Sequence, residues 1–350
     1  MEWCHEAVQG VSRTFALTVE ALEEPMASHI CVGYLLCRVA DTVEDSNTIP
    51  AADQARLLRT FHDAVDPSAA TTITEFRTAV DPWIPPAADR NDDWAVVAAA
   101  PTVLATFRSL PDGVRTAVVS PVLEMVAGMA TFVDRYRDEG GLRIQDLPEL
   151  ERYCHYAAGT VGRLVTNLLT RDQIEGERAA TLSETAESFG LLLQLVNIAK
   201  DVYGDFTTEN NVYLPAEWLA AEGVTQEAVL ARENRPRVAR VVSRTVDHAR
   251  SFLDDAQRYL EAMPLVHGNT VAAWSVPYLL AVGTLRELSE RPEDAVSEAG
   301  VKVSREEVFA VMQAARQGGQ SAIPELRAAI AADPLQQSFD PTTDAEAEAD

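Results

Sequence analysis

The sequence predicts an all-α chain, a bundle of helices around a central cavity. Three observations predict it. With 47% hydrophobic residues in 350, the chain can bury a large core. Clusters of Pro, Asn and Asp, such as Asp81-Pro-Trp-Ile-Pro-Pro86 and Asn91-Asp-Asp93, cut it into helix-length pieces. Two of those pieces are long apolar runs, each carrying one polar stripe.

The first run spans Cys31 to Asp45. At about 100° per residue, Tyr34, Arg38, Asp41 and Asp45 share one face, with Glu44 on its flank. Val32, Leu35, Leu36, Val39, Ala40 and Val43 fill the rest of the circumference, so the stripe is expected to line a cavity. The second run, Leu191 to Asp205, repeats the design with Gln194, Asn197, Asp201 and Asp205. Taken singly, either cluster reads as an acidic helix end reaching solvent, with Arg38 pairing Asp41 or Asp45 locally. Two matching stripes favour a shared site. Carboxylates so close need a counter-charge, and oxygen-only ligands suit Mg²⁺ bridging to a diphosphate. The candidate metal ligands are Asp41, Glu44, Asp45, Asp201 and Asp205.

Acidic residues outnumber basic ones by 54 to 29, for a net charge of -25. That balance excludes a nucleic-acid binder working through its own basic surface. Lys200 and Lys302 are the only lysines. Acid excess with scarce lysine predicts adaptation to high salt, where a Debye length of about 3 Å at 1 M screens self-repulsion. Cys4, Cys31, Cys37 and Cys154 lack metal-ligand spacing and are expected to be reduced core residues in a cytoplasmic protein. Neither a signal peptide nor a run of ~20 apolar residues able to cross a bilayer is expected. One domain is expected over residues 1–333, followed by an acidic disordered tail over 334–350.

In chain order, a first helix is expected from Glu2 to about Leu22, with Pro25 opening the next. The stretch from Asn47 to about Ala100 reads as a cover for the bundle, without chemistry of its own. From Asp112 to Tyr136 a helix is expected whose Gly128, Met129 and Ala130 offer a small face, either toward a cavity or for close helix packing. Tyr153 is expected to begin a helix on which Ala157, Thr160 and Leu164 share its face. His155 lies off that face and reads as structural. Residues 206–215 are polar and turn-forming, suited to a lid. Helices are expected at about Arg235 to Ala262, Thr270 to Ser289 and Arg305 to Gln317, with a kink at Pro277.

Ser12-Arg-Thr-Phe15, Tyr34-Leu-Leu-Cys-Arg-Val-Ala-Asp-Thr-Val-Glu-Asp45, Tyr153-Cys-His-Tyr-Ala-Ala-Gly-Thr-Val-Gly162 and Asn197-Ile-Ala-Lys-Asp201 occur in that order. In these motifs the chain resembles the squalene/phytoene synthase family of head-to-head isoprenoid synthases, its squalene-forming branch most closely, over roughly residues 8 to 305. The resemblance implies an isoprenoid-synthase helical bundle and Mg²⁺-dependent condensation of two farnesyl diphosphates through a cyclopropyl intermediate. Reduction by NADPH to squalene would follow. It implies Tyr153, Tyr34 and Arg38 as catalytic residues, and Ser12, Arg13, Arg38, Asn197, Lys200 and Asn211 as substrate-binding ones. Lys200, Gly204 and Asn211 stand where the family favours arginine, a further acid and arginine. No Gly-x-Gly-x-x-Gly occurs, so NADPH would bind on the helical surface. A C-terminal anchor of the kind eukaryotic members carry is not expected, though peripheral membrane contact for product release is. The competing expectations are a phytoene or dehydrosqualene synthase that omits the reduction, and a non-catalytic acidic helical binding protein.

Overall fold

The computed structural model describes residues 1–171, 174–264 and 270–336, without the side chains of residues 13 and 14. In chain order the helices are α1 Glu2–Val11, α2 Arg13–Glu20, α3 Met26–Glu44, α4 Ala51–Val65, α5 Ile73–Val80, α6 Asp92–Ala98, α7 Ala100–Ser109, α8 Asp112–Arg135 and α9 Leu147–Cys154. They continue with α10 Thr160–Thr170, α11 Gly176–Lys200, α12 Val202–Gly204, α13 Ala216–Ala221, α14 Arg235–Arg250, α15 Leu253–Glu261, α16 Thr270–Glu290, α17 Arg305–Gly318 and α18 Ile323–Ala332. Two π-turns interrupt them, His155–Gly159 between α9 and α10, and Asp205–Glu209 after α12. Among the described residues there is no strand, only a bridge pairing Arg143 with Val212. The expected all-α bundle is the fold.

α3 is the axis. Sixteen of its 19 residues are buried, and the three that are not, Tyr34, Arg38 and Asp41, are three members of the stripe. It packs against α8, α6, α7, α4 and α10. Its last turn has no basic residue; the Gln54 side chain instead donates to the carbonyls of Val43, Glu44 and Ser46 at 3.1, 2.7 and 2.8 Å. This satisfies carbonyls a helix end leaves open.

α11 crosses the π-turn and α10 at backbone distance. A Cβ on Gly162 would lie 2.3 Å from the Ala186 carbonyl oxygen, and one on Gly190 would lie 2.4 Å from that of Ala158. Gly190→Ala gains up to about 1 kcal/mol of helix propensity, but pushing two backbones apart costs about 1–3 kcal/mol or more. The clash wins. The variant should melt several degrees lower by circular dichroism, and an unchanged melting temperature would show that the helices separate freely here.

Several expectations are corrected. The first helix breaks at Ser12, whose extended backbone (φ -155°) ends α1 and whose hydroxyl caps α2 by accepting from Phe15 N–H. Tyr153 lies near the end of α9 instead of opening a helix, because the π-turn intervenes. The second acidic run is not continuous either: α11 stops at Lys200, and Asp201 takes a non-helical conformation. The helix expected over Arg235 to Ala262 divides into α14 and α15. Gly128 lies beneath the Tyr156 ring, where a Cβ would come within 2.1 Å of Cγ, so its small size serves helix packing.

Asp112–Arg135 is long and apolar enough to cross a membrane, contrary to expectation, but more than half of its most apolar window is buried inside the bundle, against α3, α4 and α10. Leu335, assigned to the tail, is buried, and its N–H donates to Glu307 at 3.1 Å. Residues 337–350 of that tail lie outside the described residues.

Candidate active site

A cavity of about 200 Å³ lies between the ends of α3 and α11, lined by Arg38, Asp41, Glu44, Asp45, Met129, Tyr153, Ala157, Gln194, Asn197, Ile198, Asp201, Asp205, Glu209 and Tyr213. All five expected metal ligands therefore share one space. So do Tyr153, Arg38 and Asn197. Both helices present their C-terminal ends here, and a helix C-terminus carries partial negative charge, which favours cations.

The electrostatics follow from crowding. Burial pushes Asp41 and Asp45 up to about 7 and Asp205 up to about 8, and Glu44 well above the usual carboxylate range. Repulsion between neighbouring carboxylates adds to the rise at Glu44, Asp45 and Asp205. Glu209, absent from the sequence expectations, joins them, pushed up to about 7 by burial and then by Asp45. Six carboxylates face two cations, and both cations are engaged. Arg38 donates to Asp93 on α6 at 2.8 Å, with Asp41 at 4.0 Å, and Lys200 donates to Asp201. Asp93 comes from the stretch read as a cover without chemistry; it aims Arg38. Among the described residues no three carboxylates converge on one point to hold a metal by themselves.

Tyr153 meets a partner the sequence did not single out. Its hydroxyl donates to that of Tyr213 at 3.1 Å, with ring centroids 4.8 Å apart, and Phe132 packs edge-on against Tyr153. Burial, with Glu44 the next cause, holds both phenols well above their usual range, so both stay protonated. Asn211 is not on the cavity wall. Its amide accepts from Leu142 N–H at 2.8 Å and donates to Glu209 at 3.2 Å and Tyr213 at 3.0 Å. The side chain, expected to contact substrate, is engaged in positioning the loop. Tyr34 lies off the cavity, stacked on Phe15 at 4.0 Å, and Ser12 is occupied as a helix cap. The Arg13 side chain lies outside the described residues. His155 is bound by Glu124 and Glu187 at 2.9 and 2.8 Å, in keeping with a structural role.

A second cavity of about 610 Å³ lies on the far side of Glu44, Asp45 and Glu209, bounded also by the 46–51 loop and residues 140–142. A third, of about 560 Å³, adjoins the site at Asn197 and Asp201. Its wall is mostly apolar, including Leu193, Pro277, Leu280 and Val308, and it carries Lys200 and Lys302, both of the chain's lysines.

Comparison with known proteins agrees with this architecture. Residues 8–307 match the family model described as squalene/phytoene synthase. A squalene synthase of Schizosaccharomyces pombe is 24% identical over 303 residues, covering 86% of this chain and 62% of that protein. The chain thus spans a little under two thirds of the length of such curated relatives. A solved ligand complex of TcSQS superposes with a TM-score of 0.78 at 22% identity, covering 94% of this chain and 89% of the other. A dehydrosqualene synthase complex follows at 0.62 and 18%, covering 91% and 95%. With a matched family model over most of its length and the same bundle in solved structures, the chain belongs to the squalene/phytoene synthase family.

Proposed function

We propose that the protein is a prenyltransferase that condenses two farnesyl diphosphates head to head and reduces the product to squalene. The observation that carries this is the pair of carboxylate faces opposed across one cavity, above a buried tyrosine pair. The donor set fits Mg²⁺: it is all oxygen, and Mg²⁺ is commonly held by one or two carboxylates with water and substrate phosphate completing the octahedron, so a ready-made three-carboxylate group is not required. Asp41, Glu44 and Asp45 from one side, and Asp201 and Asp205 from the other, would hold it. When bound, Mg²⁺ would offset the charge of a departing diphosphate and NADPH would supply hydride.

The protein's own groups do the rest. Arg38, fixed by Asp93, offers a planar donor to a diphosphate oxygen, and Asn197 a neutral amide. Tyr153, kept protonated and held by Tyr213, presents a hydroxyl dipole near the reacting carbons. Met129 and Ala157 give the cavity an apolar wall that keeps water from a developing carbocation. For the nicotinamide cofactor, the groove with Lys200 and Lys302 fits an anionic ligand with an extended body, since both are point charges suited to phosphate.

Labelled farnesyl diphosphate with Mg²⁺, with and without NADPH, tests the reading. Squalene is expected with NADPH; without it, the cyclopropyl diphosphate should accumulate or its cation be diverted to water-quenched or dehydrogenated products. A C30 product whose identity and rate ignore NADPH would replace squalene synthesis with dehydrosqualene or phytoene synthesis, and no turnover at all would favour a non-catalytic binding protein.

A further inference from the structure

The segment 209–213 is a partition. Its Glu209 lines both the 200 Å³ and the 610 Å³ cavities, its Asn210 and Asn211 face the outer one, and its Tyr213 faces the inner one. It is sewn along residues 140–144 by hydrogen bonds, beside the burial of Val212, Tyr213, Leu142 and Ile144 in the core. Val212 N–H donates to Leu142 O at 2.9 Å, Ile144 N–H to Val212 O at 3.2 Å, and the Asn210 amide to Gly140 O at 2.9 Å. Asn210 sits at φ 57°, the only non-glycine residue with positive φ among those described.

At the centre of this seam lies Arg143, 6% exposed. Its guanidinium donates to the carbonyl and, at 3.0 Å, the side-chain oxygen of Asn210, and to Leu142 O at 2.9 Å. Among the described residues no carboxylate hydrogen-bonds to it, and Glu227 and Glu139 offset its charge only from a distance. A buried cation hydrogen-bonded only to neutral oxygens is costly to keep. Its fork matches the backbone and side-chain oxygens of one left-handed asparagine. Gly141 leaves the room this requires: a Cβ there would sit 2.1 Å from Asn210 O and 3.2 Å from the guanidinium.

We infer that Arg143 is a positioning residue, the latch that holds the 209–213 partition closed and thereby sets Glu209 and Tyr213 over the inner cavity. It lines neither cavity itself and acts through the two residues it holds, Asn210 and Leu142. Its effect on turnover rests on the function proposed above; its effect on the partition does not.

Cleavage after Glu209 by a glutamate-specific protease reads the partition directly, with fragments identified by mass. When reclosing is fast, cutting tracks the open population. Arg143→Met, which keeps the volume and loses the fork, should speed that one cut by about tenfold or more, the effect of losing hydrogen bonds to a buried group. Other cuts should be unchanged. Asn210→Gly keeps the left-handed backbone and removes both side-chain contacts, so it should open the same bond even if Arg143→Met folds poorly. With farnesyl diphosphate, kcat should fall only by the fraction of protein left open, so it stays near native while the closed state dominates, with KM within about twofold, and Arg143→Lys should reverse part of the faster cutting. A native rate of cutting after Glu209 in Asn210→Gly, or general cleavage at every site in both variants, would overturn the latch. Native protein that makes no prenyl product would instead remove the proposed function and leave the proteolysis result standing.

Discussion

Asp41→Asn and Asp201→Asn are each expected to lower condensation of farnesyl diphosphate by at least about a thousandfold, equivalent to ~4 kcal/mol, while the helical circular dichroism stays native. Asparagine keeps the shape and one acceptor of aspartate but not the anion, so a site that must gather cations loses a ligand without losing packing. Neither change should unfold the protein. Asp41 is about one quarter exposed and its anion is opposed by burial, so neutralising it relieves repulsion. Arg38 remains held by Asp93 in the first variant, and in the second Lys200 keeps a neutral oxygen acceptor in place of its anionic partner. Near-native product formation by both variants would remove the metal-site assignment and leave the family placement untouched.

The second large effect concerns pH. Asp41, Asp45 and Glu209 are pushed up to about 7 and Asp205 to about 8 in the folded, metal-free protein. Their ordinary values lie near 4. A folded state that holds these protons more tightly than the unfolded chain gains stability that is fully present below about pH 4 and is lost as pH rises through 7 to 8. Metal-free protein should therefore melt lower at pH 8 than at pH 5. Mg²⁺ should oppose the trend, because cations compete with protons for the same oxygens. At 100 times its dissociation constant it adds about 2.7 kcal/mol at pH 8, several degrees of melting temperature, and much less at pH 5. Thermal scans at the two pH values with and without Mg²⁺ check this. Equal Mg²⁺ stabilisation at both would show that these carboxylates are ionised before the metal arrives.

The all-α bundle was legible because burial on all sides but one leaves a periodic signature. The three unburied positions of α3 all belong to the polar stripe read from its sequence. The opposed acidic faces were legible for the same reason. What was not legible came from outside helical periodicity. Asp93 aims Arg38 from a segment 55 residues away, and nothing in its local pattern marks it. Glu209 ends a π-turn and Tyr213 lies just past the bridge that pairs Val212 with Arg143, in a polar, turn-forming stretch with no helical period to mark the residues that face the site. Asn211 was read as a substituted arginine facing phosphate, yet its three hydrogen bonds all go inward. A carboxylate and a tyrosine kept within an otherwise turn-forming segment was the one available signal.

The two π-turns have a genetic consequence. Each holds one residue more than an α-helical turn in a space that rises only slightly further, and each borders the cavity: His155–Gly159 carries Ala157, and Asp205–Glu209 carries both of its terminal acids. Losing one codon from either would let the backbone relax into an ordinary helix, a locally favourable change. It would also rotate everything on one side by about 100° relative to the other, turning Tyr153 away from Ala157, or Glu209 and the segment behind it away from Asp205. In most helices of this bundle a point substitution is the dangerous lesion and length is forgiving at the adjoining loops. At these two turns the hierarchy is inverted: chain length itself is the constrained quantity, and single-residue deletions should be rarer there than substitutions that leave the count intact.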